Sequence, residues 1–418
     1  MPSYIIEGGR RLEGEVNVSG SKNASLPIMA ATILNSGVTK LYNIPEIRDT
    51  KITQEILRFL GCKVKKNNGK LEINSKHINR KEIPEHLMHQ MRSTVILAGA
   101  LIGRFKEARF SYPGGCDIGA RPIDLHLESF KKLGVNIEEK AGFIVCRCDK
   151  IVGANIDLDF PSVGATENII LASVYAEGIT KVSNAAMEPE IVDLADCLNK
   201  MGAKIEGAGT NIIQITGVKK LQDISYTVMP DRIEAGTLLC MAAATGGKVK
   251  LTNMVPEHIS PVLNKLKECG CKIEETKNTV YIDAPKRLKA VDIKTMPYPG
   301  FPTDMQSVFA SMLTTAKGTS MIIENIFENR YRYIPELKRM GVKANIEGRT
   351  AVITGVRKLS GATVKSTDLR GGAALIVAGL MAKSKSKIID IEYILRGYEN
   401  LDQKLRKLGA NINKEEGD

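Results

Sequence analysis

"LGCKVKKNNGKLEI", residues 60–73, sets a glycine between the end of a helical apolar pattern and a short alternating segment. Glycine at that point reads as a helix stop in the left-handed conformation, and alternation of period two reads as strand. The pattern returns in "LGVNIEEKAGFIV" (133–145), "MGAKIEGAGTNIIQI" (201–215), "CGCKIEETKNTVYI" (269–282), "MGVKANIEGRTAVI" (340–353) and "LGANINKEEGD" (408–418). The six glycines are Gly61, Gly134, Gly202, Gly270, Gly341 and Gly409, and successive differences are 73, 68, 68, 71 and 68 residues. A period that regular marks an internal repeat.

A second sign recurs upstream of each glycine. Polar loops open helices that are apolar on every face: "GSKNASLPIMAATIL", "MRSTVILAGALI", "SVGATENIILASV", "DRIEAGTLLCMAAA", "PTDMQSVFASML" and "DLRGGAALIVAGL". The loops place Lys22, Arg92, Ser162, Arg232, Asp304 and Arg370 at matching points, 70, 70, 70, 72 and 66 residues apart. Each repeat therefore reads strand, polar loop, buried helix, strand, amphipathic helix, glycine, strand hairpin, an α/β organisation. It lacks the glycine fingerprint of dinucleotide-binding folds, and "GGCDIGAR" lacks the Gly-Lys-Ser/Thr ending of a P-loop. With no Pro/Ser-rich linker in the chain, the simplest division is three repeats plus three, changing over near "YTVMPDRIEAG", residues 226–236.

At 418 residues, 43% hydrophobic and 25% charged, the chain is expected to form at least two globular domains. No apolar run approaches the roughly 20 residues of a membrane span, and "MPSYIIEGGRRLEG" is unlike a signal peptide, so a cytoplasmic location is expected. Eight cysteines are too few for a disulfide framework. The C-x-C spacings at Cys146/Cys148 and Cys269/Cys271 lack further ligands, so no metal is expected. The net charge of +12 points to an anionic partner. The basic residues are dispersed, tryptophan is absent and aromatics are 5%, which favours a small anionic substrate over nucleic acid.

Several stretches carry chemistry. "SYPGGCDIGARPIDLH", residues 111–126, surrounds Cys116 with glycines and follows it with Arg121 and Pro122 at an expected helix start. Guanidinium and unpaired helix N–H groups stabilise anions and lower a thiol pKa, whereas a structural cysteine in a turn needs neither. Lys22 and Asn23 stand at another strand-to-helix corner, as phosphate donors or as solvated side chains. Asp304 in "PGFPTDMQSVF" is a helix cap or a general base. Arg121, Arg370 and Arg396 can bind carboxylate and phosphate through their forks, or form surface ion pairs. His126 reads as a packed or ligand-orienting histidine, and Glu188 and Glu190 as helix-start and loop contacts.

Taken in order, "GSKNASLPIMAA", "PGGCDIGARPIDLH", "PSVGAT", "NAAMEPEIVD", "MPDRIEAGT", "GFPTDMQ", "FENRY" and "RGYENL" resemble the UDP-N-acetylglucosamine 1-carboxyvinyltransferase family over essentially the whole chain. The related 5-enolpyruvylshikimate-3-phosphate synthases share the repeats and the Gly-Ser-Lys opening. The resemblance implies two inside-out α/β barrel domains of three repeats each, residues 22–229 and residues 1–21 with 230–418, with the active site in the cleft between them. It implies transfer of enolpyruvyl from phosphoenolpyruvate to the 3-hydroxyl of UDP-N-acetylglucosamine, with no cofactor, as the first committed step of peptidoglycan precursor synthesis. It implies that Lys22, Asn23, Arg92, Arg121, Arg370 and Arg396 contact phosphoenolpyruvate, and that Lys22 and Arg396 join Cys116 and Asp304 as the catalytic set. Cys116 then protonates the substrate methylene, with a phospholactoyl thioether as its covalent form and fosfomycin as its inhibitor, and Asp304 assists deprotonation of the sugar hydroxyl. For the nucleotide sugar the resemblance implies Asn23, Arg92, Arg121, Pro122, Ile123, Asp124, Leu125, Ser162, Val163, Gly164, Asp304 and Ile326. Arg48 stands where the family often has lysine.

Three rivals remain at this point. A shikimate-type transferase differs in its acceptor. A noncatalytic UDP-sugar sensor has no use for the proton-transfer groups Cys116 and Asp304. A nucleic-acid binder rests on net charge alone.

Overall fold

The computed structural model describes residues 2–67, 69–114 and 123–416. Every repeat glycine adopts left-handed backbone, with φ of 108° at Gly61, 88° at Gly134, 104° at Gly202, 99° at Gly270 and 92° at both Gly341 and Gly409. Side chains resist that conformation, which is why the helix stops there are glycines. Each one ends an amphipathic helix, as Gly61 does for Arg48–Leu60, which buries Ile52, Ile56, Leu57 and Leu60.

The chain forms two compact units. The inserted unit contains residues 20–114 and 123–229, and the terminal unit contains residues 2–19 and 230–416. Each has three sheets built to one plan, in which a short edge strand runs parallel to a central strand and two antiparallel strands follow. Ile293–Lys294, Thr319–Ile323, Thr350–Thr354 and Lys343–Glu347 form one example. In the sheet of Glu107–Ser111 the parallel edge shrinks to a single bridge between Glu82 and Arg109.

Both units close on themselves. In the inserted unit the edge strand beside Val38–Tyr42 is Ile224–Thr227, from the far end of the segment. In the terminal unit Glu13–Asn17 lies parallel to Lys248–Thr252. Ser3–Glu7 sits antiparallel between Lys385–Ile389 and Asn411–Glu415, supplying the hairpin strand that the sixth repeat lacks in its own sequence.

The apolar helices fill the interiors, so each unit is an inside-out barrel with helices within and sheets outside. They are Lys22–Ala31, Ile96–Phe105 and Val163–Ser173 in the inserted unit, and Arg232–Ala244, Thr303–Leu313 and Leu369–Met381 in the terminal unit. Every residue from Leu369 to Leu380 is buried. Each large apolar side chain so buried contributes about 1.5–3 kcal/mol. Backbones approach closely where Gly99 meets Asn168, since a Cβ on Gly99 would stand 2.7 Å from the Asn168 carbonyl oxygen. The six matching polar residues fall at the N-terminal ends of these helices, or of the turn leading into one, because each helix starts directly after its loop. No helix among the described residues is long and apolar enough to cross a membrane.

Candidate active site

In the inserted unit Lys22 is the first residue of its helix, behind the Ser21 cap whose Oγ accepts from Ala24 N at 3.2 Å. Its Nζ lies 3.5 Å from Oδ2 of the buried Asp49, next to Arg48 at the start of Arg48–Leu60. Asn23 follows, partly accessible. Arg92 opens the tight turn Arg92–Val95 and donates from Nη1 to Pro113 O at 3.5 Å. Gly114 sits so near the Glu85–Met88 turn and its end that a Cβ there would fall 2.2 Å from His89 O. The glycine at the entry to the cysteine loop is thus a place of close backbone approach. Cys116, Arg121 and Pro122 lie outside the described residues.

Ile123 is buried at the cap of Asp124–Lys132, with Asp124 exposed and Leu125 half-buried. Ser162 caps Val163–Ser173, its Oγ accepting from Ala165 N at 3.3 Å, and Ser162, Val163 and Gly164 are all partly accessible. His126 packs its ring against Gly164, where a Cβ would come 3.0 Å from Cε1. The structure therefore brings the Ile123–Leu125 segment and the Ser162–Gly164 turn together through His126. Glu188 stands at the N-cap position of Pro189–Lys200, and Glu190 is buried in its first turn. The Glu167 carboxyl is pushed well above the usual carboxylate range by burial, with Glu190 and Glu188 adding to the effect.

In the terminal unit Asp304 occupies the first turn of Thr303–Leu313, while the cap position belongs to Pro302, so Asp304 is not the cap. Its carboxylate is clamped instead. Arg330 Nη2 donates to Oδ1 at 2.6 Å and Arg370 Nη2 donates to Oδ2 at 3.0 Å. The two arginine side chains are 3% and 4% exposed against 28% for Asp304, so the cations sit behind a carboxylate that faces outward. The Arg370 guanidinium also lies over the Tyr398 ring at 5.2 Å, and Tyr398 shares a 3.0 Å hydroxyl hydrogen bond with Thr237.

Arg396 ends the turn Ile394–Arg396. The next residue, Gly397, presses on the start of Leu369–Met381, with room for a Cβ only 2.7 Å from Leu369 Cδ2. Ile326 lies in a loop fastened by Glu324, whose Oε1 accepts from Ile326 N at 2.9 Å and Phe327 N at 3.2 Å. The same carboxylate accepts from Thr295 Oγ1 at 2.9 Å and, through Oε2, from Thr303 Oγ1 at 3.0 Å. Glu324 thereby joins the Ile326 loop to the helix start that carries Asp304.

Sequence reasoning assigned no role to Arg330, Glu324, Asp49 or Asn168. A charge or amide inside an apolar run, as in "SMIIENIFENR" and "TENIILAS", is the available signal. Among the described residues, no group of three or more His, Cys, Asp or Glu could hold a metal ion. Burial pushes the thiol of Cys62 up to about 11 and those of Cys146, Cys269 and Cys271 up to about 12. These thiols are poor nucleophiles near neutral pH.

Residues 6–415 match the family model described as EPSP synthase (3-phosphoshikimate 1-carboxyvinyltransferase). Over 413 residues the chain is 52% identical to UDP-N-acetylglucosamine 1-carboxyvinyltransferase 2 of Caldanaerobacter subterraneus subsp. tengcongensis, covering 99% of both chains. It is 49% identical over 414 residues to UDP-N-acetylglucosamine 1-carboxyvinyltransferase 2 of Carboxydothermus hydrogenoformans, again covering 99% of each. The crystal structure of the enolpyruvyl transferase NikO from Streptomyces tendae shares the fold with a TM-score of 0.89 at 24% identity, over 99% of this chain and 98% of that one. An EPSP synthase from Acinetobacter baumannii does so with a TM-score of 0.75 at 18% identity, over the full length of both.

Proposed function

We infer that this chain, which belongs to the EPSP synthase family and within it to the UDP-N-acetylglucosamine 1-carboxyvinyltransferases, transfers the enolpyruvyl group of phosphoenolpyruvate to the 3-hydroxyl of UDP-N-acetylglucosamine. Inorganic phosphate is released, and the step is the first committed one of peptidoglycan precursor synthesis. The observation that carries the reading is Asp304, an outward-facing carboxylate aligned by two buried arginines.

In the proposed mechanism Asp304 takes the proton of the sugar 3-hydroxyl as that oxygen bonds to C2 of phosphoenolpyruvate. Cys116 gives a proton to the C3 methylene, so the double bond becomes a methyl group on a tetrahedral adduct. The Cys116 thiolate takes a proton back from that methyl group as the C–O bond from C2 to phosphate breaks, which restores the vinyl ether and the thiol, and no electron is exchanged with a cofactor. Lys22, Asn23, Arg92, Arg121, Arg370 and Arg396 are proposed to hold the phosphate and carboxylate, where fixed cations stabilise the charge that moves during addition. Asn23, Arg92, the run Arg121 to Leu125, Ser162 to Gly164, Asp304 and Ile326 are proposed to bind the nucleotide sugar. Residues 22–229 and residues 1–21 with 230–418 are the domains proposed to supply them. The phosphorylated substrate pair supports a cytoplasmic location. Phosphate release measured with phosphoenolpyruvate and each acceptor tests the reading: UDP-N-acetylglucosamine should support turnover and shikimate 3-phosphate should not. Release with shikimate 3-phosphate alone would overturn it.

A further inference from the structure

Asn168 lies midway along the apolar helix Val163–Ser173 and is 0% exposed, so protein atoms must satisfy its amide. Gly99 N donates to Oδ1 at 2.8 Å, which identifies the oxygen end. The nitrogen end then donates to Val95 O at 3.2 Å and meets Nδ1 of His126 at 2.7 Å. An amide N–H can be received only by a lone pair, so Nδ1 carries no proton and the imidazole proton sits on Nε2. Nε2 lies on the side of Gly164, 3.4 Å from where a Cβ on that glycine would be.

We propose that Asn168 is a positioning residue that locks His126 as the Nε2–H tautomer, so that the ring turns a hydrogen-bond donor, not a lone pair, toward the Ser162–Gly164 turn. This rests on the reading above, in which that turn binds UDP-N-acetylglucosamine, whose diphosphate offers only acceptors. The other tautomer would set lone pair against lone pair. Through Val95 the same amide fixes the turn that carries Arg92, so one buried side chain sets the register of three elements proposed to meet ligand.

The test uses the full chain with ¹⁵N-labelled histidine. Two-bond ¹H–¹⁵N spectra should show His126, identified by its loss in His126→Gln, protonated at Nε2 and bare at Nδ1; a proton on Nδ1 overturns the proposal. Calorimetry with UDP-N-acetylglucosamine then separates two variants. Glutamine places an amide near the former Nε2 and should hold Kd within about threefold, whereas His126→Asn should weaken binding by about tenfold or more. Equal affinities for the two overturn the donor role. Asn168→Asp should move the proton to Nδ1 and weaken binding, and if that variant does not fold, the wild-type spectrum and the His126 pair still decide. No binding by any form, with the tautomer as expected, overturns the nucleotide-sugar reading and with it the donor's role, while the tautomer lock stands on its own spectrum.

Discussion

Asn168 in the inserted unit and Glu324 in the terminal unit do corresponding work with different chemistry. Each is fully buried and ties three segments together beside residues proposed to meet substrate. Asn168 must satisfy one donor, Gly99 N, and two acceptors, Val95 O and His126 Nδ1, and only an amide offers both. Glu324 faces four donors and no acceptor, Thr295 and Thr303 hydroxyls and the N–H groups of Ile326 and Phe327, which suits a carboxylate. The difference extends outward. Two other acids of the terminal unit are ion-paired: Asp304 stands between Arg330 and Arg370, and Glu234 receives Lys404 Nζ at 2.5 Å. In the inserted unit Asp193 is buried among neutral donors, Tyr226 OH and Met229 N. One topology thus fastens these carboxylates by ion pairs in one unit and by neutral donors at Asp193 in the other, although Lys22 of the inserted unit also stands 3.5 Å from the buried Asp49 carboxylate.

The most severe way to break the ionic side is Asp304→Asn. An amide cannot accept the sugar proton, so kcat should fall by roughly a hundredfold to ten-thousandfold, while the KM for the nucleotide sugar changes far less. The substitution also leaves two buried guanidinium groups opposite a neutral side chain, a loss of about 3 kcal/mol, the low end for a broken buried pair because the carboxylate is 28% exposed. Steady-state kinetics and urea denaturation measure the two effects. Near-normal turnover would reduce Asp304 to a first-turn residue of its helix.

Glu324 sharpens the comparison. Glu324→Gln keeps one oxygen for Ile326 N and Phe327 N, and its new amide can donate to Thr303 Oγ1, so it should cost only about 1 kcal/mol. Glu324→Ala leaves every one of those donors without its acceptor and should cost about 3 kcal/mol or more. If the two variants are equally stable in urea, the carboxylate is not what fastens the Ile326 loop.

Neither tie was legible in the sequence, although the repeats around them were. Glycine stops and period-two strands are local signals, so Gly61 and its five counterparts mark the repeats without any knowledge of neighbours. The same locality places Lys22, Ser162 and Asp304 at helix starts. Partner choice is tertiary: "MIIENIFENR" shows a charge at the end of an apolar strand, but not that Thr295 and Thr303 will turn hydroxyls toward it. Likewise nothing local tells Arg330 that its carboxylate lies 26 residues upstream. The sixth repeat reads as truncated for a related reason, since its missing strand pairs Ser3 with Glu415 across nearly the whole chain. The roles of Cys116, Arg121 and Pro122 rest on the family resemblance, because those residues lie outside the described structure.

The least direct probe addresses the inserted unit through pH. Burial pushes the Asp193 carboxyl from its ordinary 3.8 up to about 6, and the nearby Asp196 and Glu190 act in the same direction against the hydrogen bonds from Tyr226 and Met229. Between those two values the folded chain holds this proton while the unfolded chain has released it. The associated stability is therefore complete below about pH 4 and is lost as pH rises through 6, an amount of up to about 3 kcal/mol. Asp193→Asn removes the titration. Its oxygen can still accept from Tyr226 OH, but its amide N–H groups face Met229 N, a donor against a donor, which costs about 1 kcal/mol at every pH. Urea denaturation of both forms at pH 4, 5, 6 and 7 should show the wild type ahead at low pH and the gap narrowing, or changing sign, by pH 7. Taking the difference between the two forms removes the shared contribution of Glu167, whose carboxyl is also raised by burial. Parallel curves would mean that Asp193 is ionised in the folded chain throughout this range, and the contrast between neutral donors and ion pairs would then fail at this residue.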